Sequence, residues 1–143
     1  MALIEFQDLP DTTTPLNASN LNNNFEYLEG LNEYSTSEQV IGTWIDGKPL
    51  YRKTFTSTIA NGSTEKTIPL GISNADVIYI DSGNSYINFT TGGSTVQLGF
   101  YSASTDWSRG YIASNNVVVQ LGSVYSLGSK DICVTVKYTK TTD

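Results

Sequence analysis

The segment Asp106-Trp107-Ser108-Arg109-Gly110-Tyr111, with Tyr101 shortly before it, holds the residue types in this 143-residue chain best suited to binding chemistry. An indole flanked by Asp, Ser and Arg can stack on the apolar face of a sugar ring while its polar neighbours take the hydroxyls. Tyr101 and Tyr111 would widen that platform. The competing structural reading is that Trp107 only packs over the end of a β-sandwich. One stacking contact is weak, about 1–2 kcal/mol, so a ligand-binding patch built on Tyr101, Trp107 and Tyr111 needs several copies presented to one surface.

Other chemistry finds little material. The chain has no histidine, which excludes Ser-His-Asp and Cys-His nucleophilic catalysis and ordinary zinc sites. Paired-carboxylate chemistry would draw on Asp46, Glu65, Asp76, Asp81, Asp106, Asp131 and Asp143. Nearly all of these sit in or beside turns, where Asp caps backbone N–H groups. Gly92-Gly93 lacks the Lys and the helix of a phosphate loop. Asp81-Ser82-Gly83-Asn84-Ser85 vaguely resembles a calcium loop but lacks its acidic ligand count, and a tight turn explains it better. Cys133 is the single cysteine, so no intrachain disulfide forms. Its strand-like surroundings offer no cationic cluster to activate the thiol. The expectation is a non-enzymatic protein without cofactor or metal.

Charge divides the chain in two. Residues 1–38 carry seven of the 14 acids and no Lys or Arg. Residues 39–143 carry the other seven acids and all eight basic residues. Such a break marks an acidic arm, 1–38, ahead of a compact body, 39–143. The acidic balance disfavours nucleic acid, since phosphate binding needs clustered cations. Tyr51-Arg52-Lys53 comes nearest to that pattern and reads instead as a solvated strand end. No apolar run approaches a membrane span and no signal peptide begins the chain, so cytoplasmic synthesis without membrane insertion is expected. The sequons at Asn17, Asn61 and Asn88 are short enough to recur by chance.

The elements that must position these groups follow from periodicity. Residues 1–15 read as extended, with breaker chemistry from Asp8 to Pro15. A short helix follows, starting at Pro15 behind Thr14 or behind an Asn17 cap and ending near Gly30. Ala18, Leu21, Phe25 and Leu28 share one face at spacings of 3, 4 and 3. Four Asn and a like-charged Glu cluster make this helix weak alone. It must gain support from its own β body or from copies in other subunits.

From Val40 the period becomes two. Strands are expected at Gln39–Ile45, Lys48–Ile59, Thr64–Leu70, Ala75–Asp81, Ser85–Thr90, Ser94–Ser102, Ser108–Ser114, Val117–Leu121 and Asp131–Thr139. Turns fall at Asp46-Gly47, Asn61-Gly62, Ser82-Gly83-Asn84, Gly92-Gly93 and Asn115-Asn116. The fold class is all-β, an antiparallel sandwich or jelly-roll-like domain behind a short helix and arm. Val96, Leu98 and Phe100 should share one face, as should Ile132, Val134, Val136 and Tyr138. Val77-Ile78-Tyr79-Ile80 and Val117-Val118-Val119 are apolar on both faces, which places them centrally or at a subunit interface.

Two stretches carry a resemblance. PDTTTPLNASNLNNNFEYLE is similar to an entry segment, TPLNA-x-NLN, of appendage and fibre proteins from tailed phages that infect Firmicutes. IGTWIDGKPLYRKTF, together with the closing VKYTKTTD, resembles the β module at the C-terminus of many such proteins. These stretches bracket the chain from about Pro10 to Asp143, while residues 60–130 match nothing in that pattern. The resemblance implies a virion fibre or receptor-binding component, usually homotrimeric, with the N-terminal part toward other virion proteins. Host cell-wall polysaccharide is the expected contact. Family members often carry a long shaft, whereas here the leader reaches the β module within about 25 residues. A short spike, a head fibre or the distal piece of a composite appendage fits that. A decoration protein without receptor role and a carbohydrate-binding module are the alternatives.

Overall fold

A computed structural model describes residues 18–30, 33–90 and 93–141. The expected extended arm, the helix caps at Thr14, Pro15 and Asn17, and Asp143 lie outside these residues. The chain divides into two units, Met1–Tyr34 and Ser35–Asp143. The division falls four residues ahead of the boundary that charge suggests, and Glu38 therefore belongs to the body.

In the first unit one α-helix, α1 (Ala18–Gly30), is described. Leu21 is 37%, Phe25 60% and Leu28 46% exposed, and Tyr34 behind them is also exposed. Neither Asp/Glu in the first turn nor Lys/Arg in the last supports the helix dipole. No helix among the described residues is long and apolar enough to cross a membrane.

The second unit is a sandwich-like all-β domain of two antiparallel sheets. Its strands are β1 (Gln39–Thr43), β2 (Pro49–Ile59), β3 (Glu65–Pro69), β4 (Ala75–Ile80), β5 (Tyr86–Phe89), β6 (Thr95–Gln97), β7 (Tyr101–Ala103), β8 (Asp106–Ala113), β9 (Asn116–Leu121) and β10 (Lys130–Lys140). The larger sheet has the order β1-β2-β10-β5-β6, with β4 also on β10. The smaller sheet has the order β3-β9-β8-β7.

Strand β10 organises the larger sheet. It pairs with β2 from Lys130↔Ile59 to Tyr138↔Tyr51, while its other edge is shared by β5 and β4. Ile132, Val134, Val136 and Tyr138 turn one buried face to the core, as their period-two spacing predicts. They join Tyr51, Ile59, Ile87, Leu98, Val117, Val119 and Leu121 in one cluster. Burial of each such side chain contributes about 1.5–3 kcal/mol. On the outward face of β10 Thr135 and Thr139 are buried too, by polar means, while Cys133 and Lys137 are half-buried and Asp131 is exposed. Thr135 and Thr54 hydroxyls bond across the strands at 3.0 Å, and Ser85 Oγ accepts the Thr135 N–H at 3.0 Å.

Three local expectations change. Ser94–Ser102 is not one strand: Gly99 takes φ +102° and the chain crosses from β6 to β7, leaving Phe100 exposed rather than beside Leu98. The β8–β9 turn is Ser114-Asn115 rather than Asn115-Asn116, because both residues adopt positive φ between paired Ala113 and Asn116, the signature of a two-residue hairpin. Tyr51-Arg52-Lys53 is no solvated strand end: Tyr51 and Arg52 are buried in mid-strand, and Arg52 Nη2 reaches Gln39. Of the two doubly apolar runs, Val117-Val118-Val119 is buried in central β9, whereas β4 pairs only with β10 among the described residues and leaves Val77 exposed.

Candidate aromatic binding face

Strand β8 places Trp107, Arg109 and Tyr111 on its outward side, because alternate residues of a strand share a face. The inward side is Ser108, Gly110 and Ile112. A β-carbon at Gly110 would meet Leu98 Cδ2 at 2.6 Å and Ile80 Cδ1 at 3.1 Å, so glycine there lets these two side chains pack against β8. Tyr101 lies directly across from Trp107 in the β7–β8 pairing. The structure thus brings together all three aromatic residues singled out by the sequence. Trp107 is half-buried, Tyr101 is 72% exposed and Tyr111 is 40% exposed.

Arg109 joins Trp107 to Tyr111. Its guanidinium carbon sits 5.4 Å from the Trp107 ring centre and 5.6 Å from the Tyr111 ring centre, within cation–π range of both. Its Nε donates to Gln120 Oε1 at 2.7 Å, and its Nη2 donates to the same oxygen. Gln120 Nε2 in turn donates to Glu65 Oε2 at 2.5 Å. A polar row, Glu65–Gln120–Arg109, therefore crosses β3, β9 and β8 at right angles to the aromatic row. Sequence reading missed Arg109's bridging role, Gln120 and Glu65. The Ser114-Asn115 turn sets Arg109 opposite Gln120, whereas the turn expected at Asn115-Asn116 would set Gly122 there.

The Trp107 end is built by close backbone packing. The indole N–H donates to Ser104 O at 3.2 Å. Ser108 Oγ donates to Gln97 O at 2.9 Å and accepts the Phe100 N–H at 3.2 Å, which pins the β6–β7 crossing. Asp106 accepts from the Tyr125 hydroxyl. Burial, then the Asp106 carboxylate, pushes that phenol up to about 12. Between these supports opens a cleft of about 560 Å³ lined by Gly99, Phe100, Tyr101, Ser104, Trp107, Ser108 and Arg109. Three aromatics, two serines and one cation line it, with no carboxylate.

Four of the body's described acids are engaged away from this face. Asp46 and Asp76 meet Lys48, Asp131 accepts from Thr58 Oγ1 at 3.2 Å, and Asp81 pairs with Lys137 at 2.8 Å. With Asn84 Nδ2 also on Asp81 at 2.9 Å, the 81–85 segment is a 3-10 turn whose carboxylate serves a lysine. Among the described residues no His/Cys/Asp/Glu group could hold a metal ion. Cys133 is half-buried beside Tyr86, and burial pushes its thiol up, away from the reactive thiolate.

No family model matches the chain, and no curated protein or solved structure matches it significantly.

Proposed function

We propose that this chain is a structural subunit of a tailed-bacteriophage fibre or spike, homotrimeric, whose β domain attaches to the host surface by stacking saccharide on the Tyr101–Trp107–Tyr111 face. The virion assignment rests on the TPLNASNLN and WIDGKPLYRKTF resemblances. The observation that carries host contact is the convergence of Tyr101, Trp107, Arg109 and Tyr111 on one outward face beside an open cleft. Aromatic rings with an adjoining row of guanidinium, amide and carboxylate suit a ligand that has both apolar faces and hydroxyl edges. The role is binding rather than catalysis, in a protein that needs no cofactor. Trimerisation is supported by the exposed stripe of Leu21, Phe25 and Leu28, whose a/d spacing continues from Ala18.

The test is cell binding by the intact protein and by Trp107→Ala. The variant is expected to keep the native fold and a mass near three times 15.6 kDa while losing attachment to Firmicutes cells. Normal attachment by the variant would remove the aromatic face from the function.

A further inference from the structure

Resting on the saccharide reading above, we infer that the ligand is a glycan chain rather than a single sugar, laid along β8 from the Trp107 cleft to Tyr111 with Arg109 at its middle. Trp107 and Tyr111 are four residues apart on the same face of one strand, which sets their backbones about 13 Å apart. One sugar ring covers one aromatic ring, so no single sugar touches both. Only a chain of several units can occupy the two platforms together.

The spacing is also fixed. Both rings are held against one guanidinium, at 5.4 and 5.6 Å. Gln120 holds Nε and Nη2 of that guanidinium from the neighbouring strand, and Glu65 holds Gln120. Nη1 is the nitrogen that Gln120 does not engage, on a guanidinium whose carbon is nearly equidistant from the two ring centres. A row set before the ligand arrives loses little side-chain freedom on binding.

The row is asymmetric. Tyr101, Phe100 and Ser104 enclose the Trp107 end in the cleft, and Tyr111 stands outside it. The cleft therefore takes one end of the chain, and the following units run across Arg109 to Tyr111. A second ring contact is expected to raise affinity by about tenfold.

The experiment measures binding of the full chain to isolated Firmicutes cell walls, with competition by glycan fragments of those walls sorted by length from one to six sugars. Fragments of four or more sugars are expected to compete about tenfold better than single sugars. Tyr111→Ala should reduce the long fragments to the level of single sugars, and Trp107→Ala should abolish wall binding. Circular dichroism of both variants should match the parent. If single sugars compete as well as long fragments, or Tyr111→Ala keeps the length dependence, the chain inference is overturned while the saccharide reading stands. If the protein ignores the walls, or Trp107→Ala binds them normally, both are overturned.

Discussion

Gly122 and Trp107 share one point of the fold. The Gly122 N–H donates to the Trp107 carbonyl at 2.8 Å. A β-carbon at Gly122 would lie 3.1 Å from the indole Cδ1 and 2.1 Å from the Thr105 carbonyl oxygen. The absence of a side chain just after β9 thus lets the loop before β8 close over it, and that closure sets the indole at the mouth of the cleft.

Gly122→Ala should therefore damage the site from outside it. The conflict is with backbone, which no rotamer change relieves, so a loss of about 1–3 kcal/mol is expected, with altered tryptophan emission and weakened wall binding. Gly83→Ala is the contrast. A β-carbon there meets only Asp81 Oδ1 at 3.5 Å, ordinary contact, so a change within about 0.5 kcal/mol is expected. Thermal unfolding of both variants checks this. Equal stability for the two would show that Gly122 does not hold the loop.

Gln120 separates orientation of Arg109 from its charge. Gln120→Ala removes the acceptor of Nε and Nη2 but leaves the guanidinium between the two rings. The partners lie near the surface, so stability should fall by no more than about 1 kcal/mol. Wall binding should fall about three- to tenfold, because the freed guanidinium must then be ordered by the ligand. Titration on isolated walls reads this directly, and unchanged affinity would reduce the Glu65–Gln120–Arg109 row to surface structure.

Much of this geometry is legible in the residues, and its gaps have physical causes. The core face of β10 follows from Ile132, Val134, Val136 and Tyr138, and central β9 from an apolar run too long for a half-exposed strand. The three aromatics of the binding face are legible by residue type, and strand parity puts Trp107 and Tyr111 on one side. The break after Leu98 is hidden because Val96-x-Leu98-x-Phe100 keeps a perfect alternation across it. It comes from Gly99's positive φ and from Ser108's hydroxyl, which captures the Phe100 N–H from a strand not yet reached in the sequence. Lys130 gives no warning either. It is fully buried, with Nζ donating to Gly128 O at 2.6 Å, a site that exists only after the 60–63 and 126–129 loops meet.

Acid should loosen the body through two carboxylates. Burial alone would raise Asp81, but hydrogen bonds from Lys137 and Asn84 outweigh it and hold the carboxyl below its ordinary value of 3.8. Burial would likewise raise Glu38, but hydrogen bonds from Lys140 and Tyr138 outweigh it and hold the carboxyl below its ordinary value of 4.5. An unfolded carboxyl takes up its proton at higher pH than such a folded one. The stabilisation is therefore complete above about pH 5 and is lost as pH falls through the folded values. Asp81→Asn should cost about 1 kcal/mol at pH 7, lowering Tm by about 4–8 °C, and the gap from the parent should narrow as pH falls below the ordinary carboxyl value. A gap that stays constant from pH 7 to 3 would show that the Asp81–Lys137 pair carries no charge-dependent stability.

Assembly is tested by the helix stripe. A helix of 13 residues is marginal alone in water, and three exposed apolar side chains on one face add a hydration cost that association removes. Replacing Leu21 and Phe25 together with Ser should shift the light-scattering mass from about three times 15.6 kDa toward a single chain, while the β domain keeps its unfolding transition. Linked sites raise avidity by about 10²–10⁴, so the same double variant should lose most of its attachment to whole cells while each monomer keeps its affinity for short wall fragments. A double variant that stays trimeric would move the seam to the sheets. Exposed Val77 on β4, whose only paired neighbour among the described residues is β10, would then be the first surface to mutate.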